Sequence, residues 1–79
     1  MSIAKQLQRL LYLDQLIAKK NTGTPLELSQ KIRVSERQVH NYLNTLKEMG
    51  APIDYCYKRR TYYYIKTWDF EFKAFKDQN

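Results

Sequence analysis

Arg37, Gln38 and Asn41 lie within five residues of one another, and each side chain ends in a fork of hydrogen-bonding groups. A guanidinium offers two parallel donors that match O6 and N7 of guanine. A carboxamide offers one donor and one acceptor, which match N7 and N6 of adenine. Ser35, His40, Asn44 and Thr45 stand close by in the chain, and such groups suit phosphate oxygens or the margin of a groove. Downstream, Lys58-Arg59-Arg60 forms a compact cationic run suited to phosphates or a minor groove. These residues suit recognition of an anionic polymer with readable edges, not the making or breaking of bonds. His40 is the only histidine, with no adjacent carboxylate or cysteine for a triad or metal site, and no cofactor motif is evident.

The element that must position the forks is a helix. Val39, Leu43 and Leu46 recur at helical spacing. With these facing inward, Arg37, Asn41, Asn44 and Glu48 fall on the opposite face, Gln38 and Thr45 on one flank and His40 on the other. An ordinary solvated helix face mixes Glu with Lys, whereas short forked side chains here favour base edges for Arg37, Gln38 and Asn41. Glu48 repels phosphate and is expected beyond the contact zone. Ser35 and Gln38 are spaced as a capping box, and Val34 and Val39 as a hydrophobic staple. Gly50 and Ala51-Pro52 stop the helix, which is expected from Glu36 to about Met49.

A second capped helix lies directly upstream. Thr24 sits at the N-cap, Pro25 at the first helical position, and Glu27 where it can complete a capping box. That helix runs to about Ile32 and should bury Leu28 and Ile32, with Leu26 alongside. Thr24 also offers a hydroxyl and helix-end amides to a phosphate. Two capped helices with so short a link cannot lie parallel, so they form an angled helix-turn-helix pair.

The flanks supply the rest of the fold. Residues 2 to 20 read as an amphipathic helix with Ile3, Leu7, Leu10, Leu13, Leu16 and Ile17 on its apolar face, ended by Asn21-Thr22-Gly23. After Pro52 the period changes to two. Ile53, Tyr55 and Tyr57 alternate with Asp54, Cys56 and Lys58, and Thr61 to Ile65 is a second β-prone run. The pair reads as a hairpin with a basic tip, longer than a two-residue turn because Gly, Asn and Asp are missing from it. Cys56 reads as a small buried apolar residue. Beyond it, Trp68, Phe70 and Phe72 alternate with Asp69, Glu71 and Lys73, as in a further strand.

Composition bounds the class. The chain has 79 residues, a formal charge of +6 and a single cysteine. It should form one domain over residues 1–75 with a tail at 76–79, without disulfides, in a reducing and therefore cytoplasmic setting. No signal peptide, membrane span or small-molecule ligand is evident. The positive excess favours a polyanionic partner.

Leu28-Ser29, Ile32, Val34-Ser35, Gln38-Val39, Leu43, Leu46, Gly50, Pro52-Ile53, Tyr62 and Tyr64 together resemble the winged helix-turn-helix family, small bacterial or phage regulators above all, over residues 3 to 65. The resemblance implies an α+β fold of three helices and a β-hairpin wing, here with an extra C-terminal strand. It implies a non-enzymatic protein that binds double-stranded DNA in a sequence-specific way and regulates transcription. On that likeness Arg37, Gln38 and Asn41 would meet base edges. Thr24, Ser35, His40, Asn44 and Thr45 would meet phosphates or the groove margin, and Lys58, Arg59 and Arg60 would form the wing. Ser29 departs from the family's usual Ala, Arg33 from a common Gly, and Gln38 from the commoner Thr. A homodimer through Trp68, Phe70 and Phe72 is expected, against the alternative that this strand folds onto its own core. Two rival functions remain: a protein-interaction or assembly module using those aromatics, and RNA or single-strand binding through the tyrosines of the hairpin.

Overall fold

Each helix among the described residues starts at a hydroxyl cap or ends at a left-handed residue, and these punctuation points set the architecture. A computed structural model describes residues 3 to 68. The elements are α1 (Ile3–Ala18), α2 (Pro25–Ile32), α3 (Glu36–Glu48), β1 (Ile53–Cys56) and β2 (Thr61–Tyr64). The arrangement is α+β, with three helices and a two-stranded antiparallel hairpin that together form a winged helix-turn-helix. The further strand expected over Trp68 to Lys73, and the tail at 76–79, lie outside the described residues apart from Trp68.

At α2 the capping box is complete. The Thr24 hydroxyl accepts the Glu27 N–H at 3.2 Å, and the Glu27 carboxylate accepts the Thr24 N–H at 2.9 Å. Those bonds to Thr24 hold the Glu27 carboxyl below the usual carboxylate range, with smaller help from Lys31 and Arg60. Because the folded value is depressed, the cap's contribution is present at neutral pH and fades as pH falls through it. At α3 half of the device forms: the Ser35 hydroxyl accepts the Gln38 N–H at 3.1 Å, while the Gln38 amide does not return the bond.

All three helices close by the same reversal. Asn21 N–H reaches the Leu16 carbonyl at 2.9 Å, Val34 N–H that of Ser29 at 3.0 Å, and Ala51 N–H that of Leu46 at 3.0 Å. Each closure requires a left-handed residue one position earlier. Only the third uses glycine, Gly50 at φ 102°; the others use Lys20 at 56° and Arg33 at 59°. Lys20, ahead of Asn21-Thr22-Gly23, therefore ends α1, whose last helical residue, Ala18, comes two residues before the expected end. Gly23 supplies the permissive backbone before the next cap, as expected, at φ 76°, and a β-carbon there would sit 2.9 Å from that of Glu27.

The core is Leu13, Leu16, Ile17, Leu28, Ile32, Val39, Leu43, Leu46, Ala51 and Tyr62. Buried Ser29 satisfies its hydroxyl by donating to the Leu26 carbonyl at 2.6 Å. The strands pair from Ile53 with Tyr64 to Cys56 with Thr61, and β2 lies along α1. There the Tyr64 hydroxyl donates to the Asp14 carboxylate at 2.5 Å. Burial, then that bond, pushes the Tyr64 hydroxyl well above the usual tyrosine range. Three apolar expectations fail. Ile3 is 84% exposed, Leu7 46% and Leu26 53%, because the hairpin covers only the C-terminal half of α1 and α2 turns Leu26 outward. Cys56 is half-buried, its sulfur accepting the Arg59 N–H at 3.4 Å within the hairpin turn.

Arg33 carries a left-handed backbone without needing its side chain in the core. Arg33→Gly should raise stability by about 1 kcal/mol, read from urea midpoints at unchanged slope. Gly50→Ala should lower it, through the backbone alone, because the added methyl meets nothing closer than Trp68 at 3.7 Å.

Candidate nucleic-acid interface

The second helix of the pair, α3, presents what its sequence promised. Val39, Leu43 and Leu46 face the core, while Arg37, His40, Asn41, Asn44, Thr45 and Glu48 are exposed and Gln38 is partly buried. The side chains of Arg37, Gln38 and Asn41 hold no hydrogen bond to the described residues, so their forks are open to a ligand. Their neighbours are more committed. Ser35 spends an acceptor on the α3 cap, and Thr45 donates back to the Asn41 carbonyl at 3.0 Å. Thr24 is the most committed: its hydroxyl and its N–H both belong to the capping box, with a carboxylate in front of them. The Thr24 N–H is thus already taken, and its hydroxyl keeps its donor.

Lys58, Arg59 and Arg60 sit exposed in a four-residue turn from Tyr57 to Arg60 that joins β1 to β2. Arg60 supplies the left-handed residue at φ 54° that lets the chain re-enter β2. The longer tip expected from its composition is confirmed, with arginine doing what Gly or Asn usually does.

The hairpin is anchored by two threonines that sequence reading passed over. Thr22 is fully buried between α1 and α2, and Thr61 is the first residue of β2. Thr22 N–H donates to the Thr61 hydroxyl at 3.2 Å, and Tyr62 N–H donates to the Thr22 hydroxyl at 2.8 Å. The two hydroxyls lie 3.1 Å apart, close enough for one to donate to the other. The short α1–α2 loop is thereby tied to β2 through two side-chain hydroxyls, with no backbone ladder between them. A lone threonine beside a glycine gives no pattern by which this could be foreseen.

Trp68 lies apart from both the α3 face and the hairpin tip. It is half-buried against its own chain, with its ring 6.3 Å from that of Tyr64 and its edge over Gly50. Its indole N–H is buried beside the Tyr64 hydroxyl, without a hydrogen bond of full geometry among the described residues. Phe70 and Phe72 fall outside the described residues. Of the hairpin tyrosines, Tyr55 packs edge-on against Tyr62 at 4.7 Å and against Tyr57 at 5.0 Å. Tyr57, 85% exposed, is the only one of the five left open to solvent.

A capped helix pair with an outward polar face, followed by a hairpin with a basic tip, defines a winged helix-turn-helix protein. The chain matches the model of the HTH domain family over residues 4–63 and belongs to that helix-turn-helix, DNA-binding family. Comparisons with curated proteins and with solved structures found no match. Among the described residues, no helix is long and apolar enough to cross a membrane.

The threonine pair makes a measurable claim. Thr22→Val keeps the volume but strips the Tyr62 N–H of its acceptor. It should cost about 1–3 kcal/mol and speed amide exchange across β1 and β2 more than across α3.

Proposed function

We propose that the protein reads a specific double-stranded DNA sequence and regulates transcription without enzymatic activity of its own. One observation carries this: Arg37 and Asn41 stand on the outward face of α3 with Gln38 on its flank, and all three forks are unengaged among the described residues. In this reading the N-terminal half of α3 enters the major groove, where Arg37 pairs with guanine and Gln38 and Asn41 with adenine. His40, Asn44, Thr45 and the free lone pairs of Ser35 meet the groove margin. Lys58, Arg59 and Arg60 follow the backbone or the minor groove as the wing. Double-stranded DNA is favoured over single strands because a stacking platform needs several open rings side by side, and of the hairpin tyrosines Tyr57 alone is exposed.

We also propose a homodimer. Ile3 and Leu7 form an exposed apolar stripe on α1, and Phe70 and Phe72 follow Trp68 in the sequence. Each aromatic buried against a second copy would contribute roughly 1.5–3 kcal/mol. A two-fold pair would offer two α3 helices to successive turns of the groove. The rival assembly-module reading relies on the same apolar surface and differs in leaving binding insensitive to salt.

Against a duplex selected from random sequences, Arg37→Ala and Asn41→Ala should each lose about 1–3 kcal/mol and relax base preference. Joint replacement of Lys58, Arg59 and Arg60 by Gln should weaken all duplexes alike and flatten the salt dependence. Unchanged binding in both helix variants would sink the assignment of α3 as reader. For the dimer, sedimentation at micromolar concentration should give twice the monomer mass. Leu7→Ser with Phe70→Ala should return it to monomer without unfolding, whereas a monomeric wild type refutes the pair.

A further inference from the structure

Lys20 and Arg60 are distant in sequence, yet both are cationic and both hold a left-handed backbone, at φ 56° and 54°. A β-carbon disfavours that conformation, and Gly or Asn is its usual occupant. Both residues line one open hollow of about 330 Å³, together with Lys31 of α2 and Arg59 of the hairpin tip. Four cations thus converge from the end of α1, from α2 and from the wing.

The convergence is built, not incidental to long side chains. Beneath it lies the Thr22–Thr61 pair, so the tip cannot swing from the α1–α2 loop without breaking buried hydrogen bonds. Lys31 is held in place by its Nζ, which donates to the Asn21 carbonyl at 2.7 Å and keeps two further donors. Glu27 is the one carboxylate on the lining, and its charge already serves the Thr24 N–H. The remaining positive excess repels itself, and an anion between the four groups would offset that repulsion.

We propose that this hollow is a phosphate-binding site in which Lys20, Lys31, Arg59 and Arg60 jointly hold one phosphate group. The arginines would grip it with paired donors and the lysines as point charges. Two sources share this chemistry: a backbone phosphodiester of a bound duplex, or the phosphate of a free phosphorylated ligand. The first rests on the DNA-binding reading above; the second does not.

Substitution to glycine separates binding from folding here, because glycine accepts both left-handed positions. The full-length chain, Lys20→Gly/Arg60→Gly and Lys31→Gln are titrated with pyrophosphate against chloride of equal ionic strength, following backbone amides. The same proteins are titrated with selected and scrambled duplexes over a range of salt. Pyrophosphate should shift the amides around residues 20, 31, 59 and 60 of the wild type. The double variant should bind it at least about tenfold more weakly while its thermal midpoint stays level or rises. On the duplex, affinity should fall about tenfold and the salt slope by about two, with the selected-to-scrambled ratio unchanged. If pyrophosphate acts but the duplex slope is intact, the site stands and its ligand is a free phosphate compound. A wild type that takes pyrophosphate here and no duplex at all ends the DNA reading and leaves the site standing. A chloride-like response together with wild-type duplex slopes in both variants overturns the proposal.

Discussion

The hydroxyl pair of Thr22 and Thr61 is the connection on which the rest of this molecule depends. A two-stranded hairpin is marginal in water by itself, and β1 and β2 have four residues each. What makes the hairpin a fixed wing is that the first residues of β2 are tied by buried hydroxyl bonds to another segment of the chain. That segment is the α1–α2 loop, joined through Thr22 to the Thr61 hydroxyl and the Tyr62 N–H. Tyr62 is then drawn into the core, and Tyr64 reaches Asp14 on α1. The same loop leads directly to the Thr24 cap, so the start of α2 and the direction of the wing are set by one buried contact.

A second constraint comes from the economy of a short chain. Caps and closures consume polar groups that would otherwise be open to a ligand. Thr24 gives its N–H and one hydroxyl acceptor site to its cap, Ser35 one acceptor site to its own, and Thr45 its O–H to Asn41, while Arg37, Gln38 and Asn41 are left free because α3 has its cap from Ser35 alone. Left-handed closures are likewise made by Lys20, Arg33 and Arg60. Each costs on the order of 1 kcal/mol relative to glycine. Glycine at these positions would remove three positive charges from the surface, so the chain trades backbone ease for charge.

Much of the fold was legible because its signals are local. Thr24-Pro25 with Glu27 gave the start of α2, Ser35 that of α3, and Gly50 with Pro52 the end of α3. Departures from expectation arose where the outcome depended on something distant. Helical period placed Ile3 and Leu7 on the same stripe as Leu13 and Ile17, but period says nothing of how far the facing layer extends. Cys56 alternates like a core residue, yet its sulfur turns to the Arg59 N–H. The forks of the candidate interface were legible for the same local reason: they oppose an apolar face on one helix. The cation hollow was not, since Lys20, Lys31 and Arg59 belong to three separate elements.

By itself, then, the sequence determined the three helices and two strands, the angled helix pair, and which face of α3 points outward. Those features follow from caps, breakers and the periods of 3.6 and 2, which act over a few residues. Only the tertiary structure decided that Thr22 would bind the hairpin, that Lys20, ahead of Asn21-Thr22-Gly23, would close α1, and that α1 would leave its first turns uncovered. These depend on which distant segments meet. That is settled by satisfying buried hydrogen bonds and apolar surface over the whole chain, and no short stretch of residues encodes it.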